Sequence, residues 1–391
     1  MKNSLSNNKL LIILVSIFLI YVVTTVFRIG DEEVGGSVSG EHLERIKKSP
    51  NYDGSKFVNA EPTEHIAGGS YWNVIRDYLF SSEDRRPSEI IATRSADLTN
   101  FDITSGLQLF WLGHSTVLVN FESITILIDP VFDERVAVII GSSERFQPTV
   151  INRESLPKID AVIISHDHYD HLEKNSIDFF ARTGTKFFVP LGVGAHLRAW
   201  QVPDSQIVEL DWWESRDFGS LKIVCTPARH FSGRSLLRFD ETLWASWVVI
   251  GSARRIYYGG DTGYGDQFEN IGDRFGPFDI TLLPIGAYSE YWPDIHLNPE
   301  EAVTAHLALK GRLLIPVHWG TFDVAFHAWD EPIERLIQAA KEQGVQIAIP
   351  LLGEKIELNS VTIQKVAGRV STDNIHESRQ VLKFRAGQVY Q

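Results

Sequence analysis

Short apolar runs separated by glycine, proline and polar residues organise the chain from residue 107 onward. The runs at 107–112, 116–121 and 124–128 have the length and composition of strands, and the last two predict a hairpin that turns at Glu122-Ser123. Further strands are predicted at 161–164, 186–189, 222–226, 244–250, 255–258, 279–284 and 313–317. Helices are predicted at 173–182, 194–200 and 299–309. Strands that alternate with helices are typical of a layered α/β domain.

A separate apolar stretch lies near the start of the chain. Residues 10–27 carry no charge, and as a helix they would rise roughly 27 Å, close to the thickness of a bilayer core. We expect a transmembrane anchor, because a removable signal peptide usually has a shorter apolar region and a small-residue cleavage site. A removed signal peptide and a buried helix are the alternatives. Lys2 and Lys9 precede the stretch and acidic residues 31–33 follow it, so the positive-inside rule places the main domain on the non-cytoplasmic side.

The composition limits the kinds of site that the chain can build. Cys225 is the only cysteine, which excludes an intrachain disulfide and a cysteine-rich zinc ribbon. Any metal site must therefore use His, Asp and Glu side chains. The formal net charge is -13 and no basic block occurs. This argues against a nucleic-acid partner, because neutralising phosphates requires clustered Lys and Arg.

A dense group of metal-binding residue types follows the apolar run at 161–164. His166, His168, Asp170 and His171 stand at positions i, i+2, i+4 and i+5. A helix would place i and i+2 on different faces, whereas a loop at the end of a strand can turn all four side chains toward one point. Imidazole and carboxylate are ligands that zinc accepts, and burying them together without a cation would be costly. The alternative is a polar loop whose histidines are solvated.

Other candidate ligands lie just past the ends of predicted strands. They are His230, Asp261 and His318. The carboxyl ends of strands are the usual place for sites in layered α/β folds, so these side chains are candidates for the same site. Asp261 either bridges two metals or caps the following helix. His230 is an isolated histidine in the sequence, and its alternative is a structural role. His114, after the first strand, either orients a ligand or is a structural histidine.

The order of several short strings resembles that of a known family. The strings are WLGHST, ISHDHYDHL, FVPLG, ELDWWE, TPARH, GDTGY, RFGPFD, PIGAY, PEEAV and HWGTF. Together they resemble the N-acyl-phosphatidylethanolamine phospholipase D family of the metallo-β-lactamase superfamily, over roughly residues 107–353. Before residue 100 only Phe57-Val58-Asn59 matches. The resemblance implies an αββα sandwich and the release of N-acylethanolamine and phosphatidic acid from a phospholipid.

The same resemblance implies two zinc ions per chain and assigns their ligands. His166, His168 and His230 would hold one zinc, Asp170, His171 and His318 would hold the other, and Asp261 would bridge them. Asp170 and Asp261 are thereby the implied catalytic carboxylates, and a hydroxide shared by the zinc ions would attack phosphorus. Tyr169 and His296 match positions that contact the substrate's phosphate and head group.

These inferences divide the chain into four parts. We expect a membrane anchor at 1–29, a linker and pre-domain segment at 30–100, a metallo-β-lactamase-fold hydrolase domain at 101–360, and a C-terminal extension at 361–391. The expected partners are a phospholipid substrate and a membrane, and a homodimer stays open. One alternative is a hydrolase of another ester, lactone or phosphodiester on the same scaffold. Another is a zinc-stabilised lipid-binding protein, which the full ligand set disfavours because structural zinc sites are usually closed and four-coordinate.

Overall fold

The computed structural model describes residues 31–69, 71–80, 84–98, 101, 106–138, 141–235, 238–358 and 388–390. Its strands are β1 (Leu107–Gly113), β2 (Thr116–Phe121), β3 (Ile124–Ile128), β4 (Arg135–Val138), β5 (Gly141–Glu144), β6 (Ala161–Ile163), β7 (Lys186–Pro190), β8 (Ile207–Leu210), β9 (Ser215–Phe218), β10 (Leu221–Thr226), β11 (Gly233–Ser235), β12 (Arg238–Phe239), β13 (Ser246–Ile250), β14 (Arg255–Tyr258), β15 (Phe278–Pro284), β16 (Gly311–Val317), β17 (Ile347–Ile349), β18 (Lys355–Leu358) and β19 (Gln388–Tyr390). Its α-helices are α1 (Asp31–Val34), α2 (Gly40–Ile46), α3 (Tyr71–Phe80), α4 (Lys174–Ala181), α5 (Gly194–Ala199), α6 (Gln267–Phe275), α7 (Pro299–Ala308) and α8 (Glu331–Gln343). Short 3₁₀ turns lie at Ala67–Gly69, Arg153–Ser155 and Asp204–Gln206.

Two large mixed sheets form the centre of the molecule. The strand order is β18-β1-β2-β3-β6-β7-β8 in one sheet and β19-β17-β16-β15-β14-β13-β10-β9 in the other. In the first sheet β3, β6, β7 and β8 run parallel, and β1 shares their direction because it is antiparallel to β2. In the second sheet β14, β15, β16 and β17 run parallel, and β10 shares their direction through β13. The strands that share a direction therefore end at a common edge of each sheet.

Three buried apolar layers lie between the sheets and helices and hold them together. The inter-sheet layer contains Trp111 of β1 and Trp247 of β13. A second layer joins the eight-stranded sheet to α6, α7 and α8, with Leu336 among its members. A third joins the seven-stranded sheet to α4 and α5 through residues such as Ile177 and Leu197. Both faces of the central strands are covered, which explains their nearly continuous apolar runs and confirms the expected α/β sandwich.

The expected membrane anchor needs correction. Its apolar stretch, residues 10–27, lies outside the described residues. Within them no helix is both long and apolar enough to cross a membrane. The longest, α8, has 13 residues and rises about 20 Å, against about 30 Å of bilayer hydrocarbon. This finding contradicts the predicted membrane-anchored localisation with the catalytic domain on the non-cytoplasmic side, and we do not retain it.

Part of the segment expected as a linker, around Gly35 and Gly36, packs on the domain. A side chain at Gly35 would collide with the ring of His196 on α5, and one at Gly36 would meet the backbone of α5. Phe57 is 1% exposed and belongs to the inter-sheet layer. Glycine thus serves close packing here rather than flexibility.

Candidate metal centre

The candidate ligands lie where strands of common direction end. His114 follows β1, the 166–171 loop follows β6, His230 follows β10, Asp261 follows β14 and His318 follows β16. All of these residues except His168, Tyr169 and Asp170 are almost fully buried. The sheet topology therefore brings together side chains that are far apart in sequence.

One group of three imidazoles, which we name the first cluster, consists of His166, His168 and His230. Nε2 of His166 lies 2.9 Å from Nδ1 of His168, and Nε2 of His230 lies 3.3 Å from the same Nδ1 atom. A tetrahedral zinc ion with bonds of about 2.0 Å separates its nitrogen ligands by about 3.3 Å. The first cluster therefore has the spacing of a three-histidine metal site.

The second cluster consists of Asp170, His171 and His318, with His114 beside them. Oδ2 of Asp170 lies 3.6 Å from Nε2 of His318 and 3.8 Å from Nε2 of His171. His114 is closer still, with its Nε2 3.0 Å from the same oxygen. Of the two interpretations of His114 that the sequence allows, the structure supports an orienting contact with a candidate ligand.

Asp261 connects the two clusters. Its Oδ2 lies 3.1 Å from Nε2 of His318, 3.2 Å from Nε2 of His171 and 4.0 Å from Nε2 of His230. Helix α6 has Asp266 at its N-cap position, so Asp261 is not the cap of the following helix. Its carboxylate lies between the two clusters, where the predicted bridging role requires it.

Several polar atoms of the clusters have no hydrogen-bond partner although they are buried. They are Nε2 of His171, both ring nitrogens of His318, Nδ1 of His296 and Oδ1 of Asp261. Buried polar atoms are normally satisfied, and lone pairs that converge without donors are satisfied by a cation. Nitrogen and carboxylate ligands in this proportion fit a borderline divalent metal. The described residues thus fit a metal centre, and the ligand roles of individual side chains stay predictions.

Charge coupling within the clusters keeps the carboxylates ionised. Burial favours the neutral form of Asp170 and Asp261, yet the neighbouring histidines hold the pKa of both carboxyl groups well below the usual range. Burial also disfavours a charged His318, but Asp261 and Asp170 raise the pKa of His318 to about 9. Burial lowers the pKa of His114 to about 3, so His114 is neutral. The centre therefore offers anionic oxygens to a cation.

Asp129 orients the second cluster, a role that the sequence did not reveal. Its fully buried carboxylate accepts hydrogen bonds from Nδ1 of His171 at 2.7 Å, the amide of Ser165 at 2.7 Å and the hydroxyl of Tyr258 at 2.6 Å. An ionised carboxylate only accepts, so Nδ1 of His171 carries a proton and Nε2 is the ring nitrogen that faces the cluster. The apolar run that ends in Asp129 and Pro130 was the available signal.

The first cluster has its own orienting contacts. Nδ1 of His230 lies 2.9 Å from the carbonyl oxygen of Ile295, which directs Nε2 toward the cluster. The side chain of Asn59 accepts a hydrogen bond from the amide of His230 at 3.1 Å and donates one to its carbonyl at 2.7 Å. Asn59, in the short match Phe57-Val58-Asn59, therefore holds the backbone of a candidate ligand.

The two predicted substrate contacts differ in their surroundings. His296 is 12% exposed, and its Nδ1 lies 3.9 Å from Oδ2 of Asp261. The hydroxyl of Tyr169 donates to the carbonyl of Arg234 at 2.7 Å, and the Arg234 guanidinium carbon lies 4.0 Å from the centre of the Tyr169 ring. His296 thus borders the clusters directly, whereas the only hydroxyl proton of Tyr169 is already donated within the chain.

Several known proteins are similar to this chain. A family model described as a β-lactamase superfamily domain matches residues 125–319. An uncharacterised protein of Mycobacterium tuberculosis is 46% identical over 325 residues, which are 80% of this chain and 85% of that protein. A Caenorhabditis elegans protein named N-acyl-phosphatidylethanolamine-hydrolyzing phospholipase D 1 is 38% identical over 57% of this chain and 66% of its own length.

The fold also matches a solved structure. A possible metal-dependent hydrolase from Veillonella parvula aligns with a TM-score of 0.53 at 17% identity, over 65% of this chain and all of the other. This likeness shows the fold. In this chain the clusters of His and Asp side chains lie at the carboxyl ends of the strands. The chain therefore belongs to the metallo-β-lactamase superfamily of metal-dependent hydrolases.

Proposed function

We propose that this hydrolase is a phospholipase D-type phosphodiesterase, which cleaves N-acyl-phosphatidylethanolamine to N-acylethanolamine and phosphatidic acid with two zinc ions. The observation that carries the proposal is the pair of clusters joined by Oδ2 of Asp261. Two adjacent cations suit the hydrolysis of a phosphodiester. The substrate class comes from the C. elegans relative, whose name states it for that protein.

The chain supplies ligands for both cations. The first cluster would hold one zinc, the second cluster would hold the other, and Asp261 would serve both. A predominance of imidazole favours zinc over magnesium or calcium, which prefer oxygen ligands. When bound, the cations would activate water and screen the negative charge of the phosphate.

The remaining roles belong to side chains that border the clusters. Burial lowers the pKa of His296 to about 4, so its ring is neutral near pH 7 and offers one N–H donor. This N–H would orient a phosphate oxygen of the substrate. Asp170 stays ionised and would orient the attacking water by accepting a hydrogen bond. A hydrogen bond from Tyr169 to phosphate requires the release of its bond to Arg234, so we assign the main phosphate contact to His296.

The test is product analysis with a defined lipid. The zinc-loaded protein is mixed with N-acyl-phosphatidylethanolamine in detergent micelles, and both products are quantified by mass spectrometry. We expect N-acylethanolamine and phosphatidic acid in equal amounts, loss of both on chelation and recovery on addition of zinc. Asp170→Asn should reduce the rate at least about 100-fold, because it removes an anionic ligand.

A matched control separates this effect from general damage. Asp273 on α6 is exposed and forms a surface ion pair with Lys310 at 2.7 Å, so Asp273→Asn should keep wild-type activity. Turnover of a lactone or a nucleotide diester without any lipid product would support another hydrolase on this scaffold. Intact lipid that binds to the metal-loaded protein without turnover would show a lipid-binding protein.

A further inference from the structure

His114 is buried beside the second cluster, although neither the resemblance nor the family match assigns it a role. It occupies the turn between β1 and β2 and is 1% exposed. Its Nε2 lies 3.0 Å from Oδ2 of Asp170, and its ring centre lies 4.1 Å from that of His318. The side chain thus contacts two members of the cluster at once.

The backbone of His114 is fixed from both sides. Its amide donates to Oγ1 of Thr321 at 2.7 Å. Its carbonyl accepts from the amide of His318 at 2.8 Å and from Nε1 of Trp111 at 2.7 Å. The turn that carries His114 is therefore joined directly to the turn that carries His318. These contacts fix the position of the backbone from which the His114 ring extends toward the cluster.

The chemistry of the contact decides between a ligand and an orienting residue. An ionised carboxylate accepts hydrogen bonds and does not donate them, so the 3.0 Å contact requires the proton to be on Nε2 of His114. A nitrogen that carries a proton has no lone pair for a metal. The contact instead fixes the orientation of the Asp170 carboxylate, as partners of metal ligands commonly do.

We infer that His114 is a positioning residue, which holds the carboxylate of Asp170 in the orientation that the second cation requires. The inference rests on the two-cation part of the proposed function and is independent of its substrate. The backbone conformation of residue 114 explains why a histidine suits this place. The φ angle of His114 is 50°, in the left-handed region where Asn, Asp and His occur more often than other non-glycine residues.

Two substitutions isolate the hydrogen bond from the backbone. His114→Asn tolerates the left-handed conformation, but its amide is too short to replace the Nε2 contact with Asp170. His114→Gln can place an N–H donor near the Nε2 position, although Gln is less suited to the positive φ. A structural role for His114 would make His114→Asn the milder change. A positioning role makes His114→Gln the milder change for cation binding.

The measurement is zinc binding to the full chain, by competition with a chelator of known affinity and by metal analysis after dialysis. We expect the wild type and His114→Gln to bind two equivalents. His114→Asn should keep the first equivalent and bind the second about 10- to 100-fold more weakly. Circular dichroism and thermal unfolding of the metal-free proteins report any loss of fold. His42→Asn, a substitution of a partly exposed histidine on α2, is the matched control and should bind as the wild type does.

The outcomes separate the inference from the proposed function. If a folded His114→Asn protein binds both equivalents as the wild type does, the inference is overturned alone. If His114→Gln loses the second equivalent as completely as His114→Asn, the imidazole itself is required and the positioning role is overturned. If the wild type binds a single equivalent, both the inference and the two-cation proposal are overturned. The lipid assay tests the substrate separately.

Discussion

At the scale of single residues, several non-glycine residues just past strand ends near the candidate metal centre have left-handed backbone conformations. His114, Asp129, Ala287 and His318 have φ angles of 50°, 39°, 62° and 59°. Each lies just past the end of a strand that runs toward the site. Such angles cost a non-glycine residue on the order of 1 kcal/mol or more, so the surrounding hydrogen bonds must stabilise them. The geometry of the clusters therefore depends on contacts outside the ligands themselves.

Asp129 gives the clearest prediction at this scale. Asp129→Asn removes the negative charge and replaces one carboxylate oxygen by an NH2 donor. If the remaining oxygen keeps the Ser165 amide, the NH2 group faces Nδ1 of His171 and can no longer accept its proton. We expect zinc affinity to fall about 10- to 100-fold. Chelator competition measures it, with Asp273→Asn as the control. An unchanged affinity in a folded Asp129→Asn protein would contradict the orienting role.

At the scale of elements, α7 shows how a helix end supports the site. Asn298 accepts a hydrogen bond from the amide of Glu301, and the side chain of Glu301 accepts one from the amide of Asn298. Pro299 occupies the first turn, where its missing N–H costs nothing. His296 lies two residues before the cap. The reciprocal cap therefore fixes the point at which the chain leaves the site and enters the helix.

Loss of this cap should weaken the fold by a modest amount. Asn298→Ala removes the side-chain acceptor and should lower the free energy of unfolding by about 1 kcal/mol. Urea denaturation followed by circular dichroism measures the change. Asn298→Ser keeps an acceptor and should recover most of the stability. Equal losses in the two variants would show that the hydrogen bond is not the cause.

The elements also show which parts of the structure the sequence could predict. Strands β1, β2 and β3 and helix α7 occur almost where the apolar pattern predicts them, because both faces of the strands are buried. Strand β9, at Ser215–Phe218, is largely exposed and polar, so only its pairing with β10 makes it a strand. No ranges were predicted for helices α6 and α8, although buried residues such as Phe268 and Leu336 recur on one face.

The site also contains residues that the sequence could predict and residues that it could not. The ligand candidates of the 166–171 loop are close in sequence, so their spacing alone indicates a shared site. The partners of Asp129 are 36, 42 and 129 residues away along the chain, and no local pattern connects them. His114 has its side-chain partner 56 residues away. Orienting contacts of this kind become visible only once the sheets are assembled.

At the scale of the whole molecule, the candidate metal centre lies where strands of two sheets end, and these sheets pack through one continuous apolar layer. The candidate ligands come from both sheets, because the 166–171 loop follows β6 of one sheet and Asp261 follows β14 of the other. A cation held by both would join the sheets directly. Metal binding is then coupled to the stability of the entire sandwich.

Removal of metal should therefore lower the unfolding temperature. A ligand present at 100 times its dissociation constant stabilises the native state by about 2.7 kcal/mol. We expect the melting temperature to fall on chelation and to rise again with added zinc, when scans are compared at one heating rate. Calorimetry of the chelated and reloaded protein measures the shift. Identical melting temperatures would contradict a cation shared between the sheets.

Asn59 lies before the 125–319 region that the family model matches. Its side-chain amide nevertheless forms hydrogen bonds with both the backbone N–H and the carbonyl of His230. Removal of the first hundred residues would expose the backbone N–H and carbonyl of His230 to water, beside the imidazole that they position. A designer who wants a shorter catalyst on this scaffold should therefore retain Phe57-Val58-Asn59, or supply an equivalent amide from elsewhere. The minimal working unit is larger than the sandwich alone.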